Sequence, residues 1–451
     1  MLIRKGVLRR SRAAILCSFI VVASISFFSG AQGHGLAVQV APHPGVVEPA
    51  ADRLATASNW QVETVDDSTG EVYFGNALAL DASDRPCVAY YDPEGADLVY
   101  ACRDATWQPV TVDSEGDVGQ YTSLALDASD RPHISYQDGL DGTNQHLKYA
   151  HHDGSGWSAT TVDNGLYTGA FTSIALDNAG DPMITYYRGG NCSVSGDTYC
   201  NLRSATYDGT WSTTRLLYST DDVGRSSSLA FDSQGHAQVS FYDAGHGDLM
   251  WAHLDWDMWR SPDSTGTVGA DTSLAIDSYD DPHIAYVGEG SLRYAHGTMT
   301  GTDVTWVTET VESGTSVRGA SLALDAYDQP HITYYLDNAS LRYARYDGTS
   351  WHVETVANTG AITGREGTSL ALDRAGSPHV TFYTTSGLKY AYQGTTRVYL
   401  PLVMTTSPSD RYALIIGVAD YLHDTDSPDW CFLGDLPYAD RDALAMEELL
   451  V

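Results

Sequence analysis

Positive charge is scarce in this sequence. Lys and Arg total 25 residues against 58 Asp and Glu, which gives a net charge of −33 over 451 residues. A nucleic-acid binder needs a basic face to displace counterions from the phosphates, so this composition excludes nucleic acid as a partner. It also excludes attraction to an anionic membrane surface. A divalent cation and neutral or basic ligands remain open.

Long apolar runs are missing beyond the N-terminus. Arg4, Lys5 and Arg9 stand in a basic segment before an apolar run over residues 13–28, and Ser29–Ala31 supplies the small residues that a signal peptidase accepts. We therefore expect a signal peptide over residues 1–31, a linker over 32–56, and an extracellular or cell-surface protein with no membrane attachment after cleavage. An uncleaved signal anchor is the alternative, although the run is slightly short for a transmembrane helix.

What the chain does have is an internal repeat. The phrase Ser-Leu-Ala-Leu-Asp recurs with its Asp at positions 81, 127, 177, 232, 277, 325 and 373, and a Leu-x-Tyr-Ala phrase follows each copy with some drift. A Trp opens another β-rich run at Trp60, Trp107, Trp157, Trp211, Trp259, Trp306 and Trp351. In the sixth unit the predicted strands cover 321–325, 331–335, 341–346 and 351–356. Four short strands per unit are typical of a propeller blade.

The position of the Trp strands predicts how the ring closes. The first Trp strand, 60–65, precedes the first complete unit, and the seventh unit ends at Tyr392 without a Trp strand of its own. The N-terminal strand can complete the last blade and remove two open sheet edges. The sequence therefore predicts an all-β fold, a seven-bladed propeller of four-stranded blades over 57–393, as a monomer; an open solenoid is the alternative. The seven Trp side chains are predicted to pack between blades and not to bind ligand.

A hairpin register that pairs Ile332 with Ala344 predicts which cysteines and histidines face each other. It places Cys87 opposite Cys102, close enough for a disulfide. We also expect Cys192 and Cys200 to close a Gly- and Ser-rich insertion, since an exported protein keeps its disulfides. Of the six cysteines, the remaining two are Cys17 in the signal peptide and Cys431 near the C-terminus.

The same register predicts two histidine pairs, His133 with His151 and His283 with His296. Zinc usually takes more protein ligands than a pair offers, and no third ligand recurs beside them, so we expect no metal and no cofactor. Acidic pairs such as Asp127 with Asp130 could bind calcium, but their spacing differs from an EF-hand loop and predicts a solvated turn. Some tyrosines in the second strands could line the channel and stack on a sugar or peptide, but we expect most to lie in the core.

Three turns resemble a known propeller feature. The segments 153–157, 208–211 and 347–351 each run from an Asp-Gly pair to a Trp, and they resemble degenerate Asp-box turns of sialidase-like propellers. The resemblance covers these turns alone, and no arginine triad is recognisable, so it does not imply sialidase activity.

The repeat stops after Tyr392, and residues 394–410 are expected to be a linker. Beyond it, 412–418 is a buried-type strand and 440–450 has helical spacing. With Leu436, Ala439 and Asp442–Ala443, the segment 411–451 resembles the first strand and helix of a caspase-like, metacaspase-type cysteine peptidase domain (peptidase C14-like), truncated here. The catalytic His and Cys of that family lie at later strand ends, so we expect no catalytic residue in this chain.

Three functions follow from these observations. The first is a secreted caspase-like cysteine endopeptidase whose propeller binds a protein, peptide or glycan; His423 and Cys431 match neither family position, so this chain would itself be inactive. The second is a non-catalytic interaction protein that binds a polypeptide or glycan through the propeller. The third is a glycan-active propeller enzyme, which needs clustered carboxylates in the channel.

Overall fold

The computed structural model describes residues 60–393 except positions 71, 73–74, 140–144, 190–199, 217–221, 315, 338 and 361–366. The regular structure in these ranges is entirely β, with 28 strands in seven four-stranded sheets. This confirms the predicted all-β, seven-bladed propeller. Nothing helical within the described ranges is long and apolar enough to span a membrane. The predicted signal peptide and caspase-like segment lie outside the described residues.

The first four blades follow one another along the chain. Blade 1 contains β2 (Asn76–Leu80), β3 (Pro86–Asp92), β4 (Asp97–Arg103) and β5 (Trp107–Asp113). Blade 2 contains β6 (Val118–Leu126), β7 (Pro132–Asp138), β8 (His146–His152) and β9 (Trp157–Asp163). Blade 3 contains β10 (Ala170–Leu176), β11 (Pro182–Arg188), β12 (Asn201–Tyr207) and β13 (Trp211–Arg215). Blade 4 contains β14 (Val223–Phe231), β15 (Ala237–Asp243), β16 (Asp248–His253) and β17 (Met258–Asp263).

The last three blades complete the ring and use the first strand of the chain. Blade 5 contains β18 (Val268–Ile276), β19 (Pro282–Gly288), β20 (Ser291–Thr300) and β21 (Asp303–Glu312). Blade 6 contains β22 (Val317–Leu324), β23 (Pro330–Leu336), β24 (Ser340–Tyr346) and β25 (Trp351–Asn358). Blade 7 contains β26 (Thr368–Leu372), β27 (Pro378–Thr384), β28 (Gly387–Gln393) and β1 (Trp60–Asp66).

Each blade is an antiparallel meander. The first strands of neighbouring blades lie against each other around the axis, which makes the first strand of each blade the innermost one. We call the end with the Asp-containing turns after these inner strands the turn face, and the opposite end the loop face. The predicted inner strand of blade 6 began at Ser321, whereas β22 begins at Val317. The register shifts between Arg318 and Ser321, and this bulge lets the strand continue toward the loop face.

The N-terminal strand closes the ring as predicted. β1 pairs antiparallel with β28, with Trp60 opposite Gln393 and Val62 opposite Ala391. A ring joined in this way relies on backbone hydrogen bonds between the two ends of the propeller sequence. The closing blade therefore has no unpaired edge between β28 and β1.

In six of the seven blades, the serine of the Ser-Leu-Ala-Leu-Asp phrase ties the inner strand to the next; blade 1 has Ala77 at this position. The serine hydroxyl accepts a hydrogen bond from the backbone N–H of the following blade's inner strand, at 2.9–3.2 Å. The acceptors are Ser123, Ser173, Ser228, Ser273, Ser321 and Ser369, and the donors are Ile174, Leu229, Leu274, Leu322, Leu370 and Leu78. The repeat therefore keeps Ser at this position because inner strands of different blades share no backbone ladder.

The repeated Trp residues pack between blades. Six of the seven Trp rings meet the edge of an aromatic ring on the third strand of the preceding blade, with centroids 4.9–5.4 Å apart. The exception is Trp259, because blade 3 carries Ser204 where the other blades carry Tyr or Trp. Trp259 instead lies 6.2 Å from Phe241 of its own blade.

A second contact between blades joins tyrosine to a carboxylate. Five second-strand tyrosines donate their hydroxyl to an Asp or Glu at the end of the preceding blade's outer strand: Tyr90 to Asp66, Tyr136 to Asp113, Tyr186 to Asp163, Tyr286 to Asp263 and Tyr334 to Glu312. In blades 4 and 7 the tyrosine is replaced by Phe241 and Phe382. The outer strand before blade 7 carries Ala357 at the carboxylate position, so a buried tyrosine hydroxyl at the position of Phe382 would have no carboxylate acceptor there.

Trp60→Ala should destabilise the propeller by about 3–5 kcal/mol, because it removes a buried indole at the closing strand. Trp60 is 8% exposed, packs on Tyr343 and donates its Nε1 hydrogen to Glu354 at 3.0 Å. The matched control is Val62→Ala on the same strand, where the side chain is 48% exposed. Urea denaturation of both variants checks this, and an unchanged free energy of unfolding for Trp60→Ala would contradict it.

Candidate binding site in the central channel

The blades differ in chemistry at one position of the inner strand, two residues before the repeated serine or its counterpart. We call this the channel position. From blade 1 to blade 7 it is occupied by Gly75, Tyr121, Phe171, Ser226, Asp271, Gly319 and Gly367. All of these except Gly75 line a cavity on the propeller axis. The repeat thus builds one scaffold and varies the side chain that faces the channel.

The backbone at the channel position is unusual. Tyr121, Phe171, Ser226 and Asp271 have positive φ angles of 52°, 51°, 52° and 48°. The strand register shifts beside each of them, as expected for a β-bulge. Left-handed backbone is costly for a bulky L-residue, and such strain is concentrated at functional sites.

Hydroxyl side chains at the next position hold this backbone in place. Thr172 donates to the carbonyl of Tyr121 at 2.9 Å, and Ser227 donates to the carbonyl of Phe171 at 2.9 Å. Thr272 binds the carbonyl of Ser226 at 2.6 Å in the same way. Each bond runs from one blade to the channel position of the blade before it. These hydroxyls are therefore committed to the scaffold and fix the direction of the channel side chains.

The cavity has a volume of about 130 Å³ and receives residues from all seven blades. The sides of the cavity differ in polarity because the residue at the channel position differs from blade to blade. Tyr121 and Phe171 form an aromatic side, with ring centroids 4.8 Å apart and planes tilted by 58°. Ser226 and Asp271 follow in blades 4 and 5 as a polar side. Blades 6 and 7 present glycine, which leaves space next to the polar side.

Asp271 is the one acidic residue among the described residues that line the cavity. Its Oδ2 accepts the backbone N–H of Gly319 at 2.8 Å. Burial raises the pKa of Asp271, and the Gly319 bond and the charge of Arg318 only partly oppose this effect. A desolvated carboxyl group in a cavity is suited to accepting or sharing hydrogen bonds with a polar ligand.

The structure places the predicted cysteines away from this cavity. Cys87 and Cys102 face each other in the predicted register and form a disulfide with an S–S distance of 2.03 Å. Cys200 is disulfide-bonded, and its predicted partner Cys192 lies outside the described residues. The seven Trp residues also lie outside the cavity lining. These residues belong to the scaffold.

The predicted histidine register is confirmed, with His133 opposite His151 and His283 opposite His296. The expectation that these pairs have no third ligand is wrong for blade 5. The repeat turn brings Asp277 to the pair, so that one ligand atom from each of the three residues lies within 4.8 Å of the others. The sequence pattern shows no sign of this third ligand, because Asp277 belongs to the repeated phrase and an aspartate stands at its position in every blade.

The acidic pairs considered for calcium cap turns. The aspartate of the repeated phrase accepts the backbone N–H groups two and four residues later, as Asp127 does from Ser129 at 2.8 Å and Arg131 at 2.9 Å. Asp130 accepts the backbone N–H of Ala82 in the neighbouring blade at 2.8 Å. These bonds are the Asx-turn pattern, and they explain why acidic residues recur at the turn face.

Sequence reasoning placed the candidate ligand-stacking tyrosines on the second strands, and the structure moves the site elsewhere. Tyr186 and Tyr334 are fully buried and bind carboxylates between blades. Tyr121, Phe171 and Asp271 were missed. The signal that could have found them is the change of residue type at one position of an otherwise regular repeat.

Comparison with known proteins finds solved structures that resemble this propeller. No known protein family matches the sequence, and no curated protein matches it. A protein of unknown function from Dyadobacter fermentans is 10% identical, with 73% of this chain and 98% of that chain covered at a TM-score of 0.44. The six-bladed fucose-recognising lectin of Aleuria aurantia is 14% identical, with 66% and 99% covered at 0.44. A variant of the NanB sialidase of Streptococcus pneumoniae is 10% identical, with 73% and 70% covered at 0.38. Similarity at this level does not carry a ligand from one propeller to another.

Asp271→Asn should stabilise the protein at neutral pH. Because the folded state raises the pKa of Asp271, the buried carboxylate costs stability above the unfolded-state pKa of about 3.9 and costs nothing well below it. Denaturant unfolding at about pH 7 and about pH 3 checks this, with a gain expected only at the higher pH. The control, Ser226→Ala at the same repeat position, should have the same effect at both pH values. Lower stability of Asp271→Asn at neutral pH would contradict the prediction.

Proposed function

We propose that this protein is a non-catalytic carbohydrate-binding propeller that takes the end of a saccharide into its central channel. The observation that carries the proposal is the channel position, which places Tyr121 and Phe171 beside Ser226 and Asp271 in one cavity. An apolar wall with a few convergent polar groups is the usual composition of a small-molecule site.

The chemistry of the two sides fits a sugar ring. An aromatic face packs against the apolar C–H face of a pyranose, and the adjacent carboxyl and hydroxyl groups can bind its hydroxyls. The cavity of about 130 Å³ is smaller than the roughly 300–1,000 Å³ of drug-sized pockets. It therefore fits one terminal sugar better than an internal stretch of a long chain.

Charge narrows the class of saccharide. The net charge of −33 and the desolvated carboxyl group of Asp271 both disfavour sulfated or carboxylated glycans. Neutral saccharides and amino sugars are favoured. A basic peptide would also suit the charge, because Lys and Arg side chains can stack on aromatic rings, and binding of such a peptide is an outcome of the test.

The cavity does not support the glycan-active enzyme. Glycoside hydrolysis generally uses two carboxyl groups on either side of the scissile bond. Asp271 is the sole carboxyl group among the described lining residues. Among the described lining residues, the arrangement offers one carboxyl group to a sugar and no second acid or base.

Binding to an array of neutral, amino and anionic glycans, fucosides included, tests the proposal. The intact protein should bind neutral or amino saccharides, and Tyr121→Ala and Phe171→Ala should each weaken binding about tenfold through lost aromatic packing. The control is Tyr279→Ala, which removes a tyrosine that is 79% exposed on the turn face. Absence of glycan binding, binding of peptides alone, or equal binding by Phe171→Ala and Tyr279→Ala would overturn the proposal.

A second candidate function rests on the sequence of residues 411–451, which lie outside the described residues. Their resemblance to the start of a caspase-like domain favours a secreted cysteine endopeptidase whose propeller captures the glycan of a substrate or partner. Export through residues 1–31 is part of both proposals. The two proposals differ in whether a cysteine endopeptidase domain is attached to the propeller.

The reading frame beyond the codon for Val451 tests the peptidase candidate. We expect it to continue and to encode a His and a Cys at later strand ends. Replacing that Cys by Ala should then abolish peptide cleavage and leave glycan binding by the propeller unchanged. A stop codon directly after Val451 would reject the peptidase candidate.

A further inference from the structure

Three side chains with metal-binding atoms meet on the turn face of blade 4, away from the channel. Asp232 follows β14, His236 precedes β15 and His253 ends β16. The Oδ2 atom of Asp232 lies 3.0 Å from Nδ1 of His236 and 3.5 Å from Nε2 of His253. One ligand atom from each residue lies within 4.8 Å of the others.

The turn itself orients the carboxylate. Oδ1 of Asp232 accepts the backbone N–H groups of Gln234 at 2.9 Å and His236 at 2.8 Å. Since Oδ1 is committed to the turn, Oδ2 is directed at the two imidazoles. The carboxylate is buried at 6% exposure, so the scaffold holds it in one orientation.

His253 is the observation that points to a ligand. Its side chain has no exposed surface, Nδ1 has no hydrogen-bond partner among the described residues, and Nε2 has only the Oδ2 atom of Asp232 at 3.5 Å. Buried polar groups in folded proteins are almost always paired. Trp256 stacks flat on the ring, with centroids 3.7 Å apart and planes 8° apart. Because Trp256 covers the face of the ring, the nitrogen lone pairs, which lie in the ring plane, are available to a ligand. Nε2 is the nitrogen that lies near Asp232.

We propose that Asp232, His236 and His253 bind Zn²⁺, with the fourth coordination position open to water or another ligand. Zinc bonds of about 2.0–2.1 Å in tetrahedral geometry place neighbouring ligand atoms roughly 3.3 Å apart. The distances of 3.0 and 3.5 Å from Asp232 Oδ2 lie on either side of this value.

The other blades show why this set is not a general feature of the repeat. In blades 1 and 2 the equivalent carboxylate oxygen is bound by arginine, Arg85 at 2.7 Å and Arg131 at 2.6 Å. In blades 6 and 7 the third-strand position of His253 holds Arg345 and Tyr392. Blade 5 carries a related set, Asp277, His283 and His296, in which Nδ1 of His283 is hydrogen-bonded to the Tyr294 hydroxyl.

Zinc titration of the full chain, without an affinity tag and after dialysis against a chelator, tests the blade 4 site. Competition with a chromophoric chelator should show one more zinc equivalent in the parent protein than in His236→Ala or His253→Ala. Any zinc bound in blade 5 is common to all three proteins and cancels. Cobalt(II) should give a visible absorption band of tetrahedral intensity in the parent that is weaker in both variants.

His236→Ala keeps the test decisive if His253→Ala fails to fold, because the His236 side chain is one-third exposed. The matched control is His151→Ala, at the position of His253 in blade 2, where Arg131 takes the place of the ion; its zinc content should equal that of the parent. Zinc should also raise the melting temperature of the parent and of His151→Ala more than that of His236→Ala. Equal zinc content and equal melting shifts in the parent and a folded His236→Ala would overturn the proposal.

Discussion

The structure depends on the hydrogen bonds that hydroxyl side chains make between inner strands. Seven inner strands must meet around one axis, and strands of different blades share no backbone ladder there. The repeated serine accepts the amide of the next blade, and the residue before it in most blades donates to a carbonyl of the previous blade. Because both bonds span two blades, neither position can vary freely.

This constraint explains where the candidate ligand site lies. With the neighbouring positions committed to the ring in most blades, the side chain at the channel position varies from glycine to Tyr121, Phe171, Ser226 and Asp271. The backbone at this position is held in the left-handed region in blades 2 to 5, and its carboxyl group in blade 5 is desolvated. Both features cost stability locally, and binding sites commonly accept such costs where the rest of the fold is rigid.

Part of the strong negative charge has structural causes. An aspartate ends each inner-strand phrase and caps a turn, and five further carboxylates accept a tyrosine hydroxyl from the next blade. Blade 6 has Ala357 in place of the carboxylate, and the blade that follows it has Phe382 in place of tyrosine, as expected if the two positions form one contact. Net charge therefore restricts the class of ligand without locating the site.

The sequence by itself determined the number of blades, the closure by the first strand, and the register that pairs Cys87 with Cys102, because the repeat period and strand alternation are local patterns. Only the tertiary structure decided the channel site and the zinc ligands. Tyr121 and Asp271 come from blades distant in sequence and meet because the ring returns every inner strand to one axis. An aspartate occupies the position of Asp232 in every blade, and blade 4 differs in having His236 in place of the arginine of blades 1 and 2, together with the buried His253. These residue changes can be read in the sequence, but only the folded blade shows which side chains reach each carboxylate.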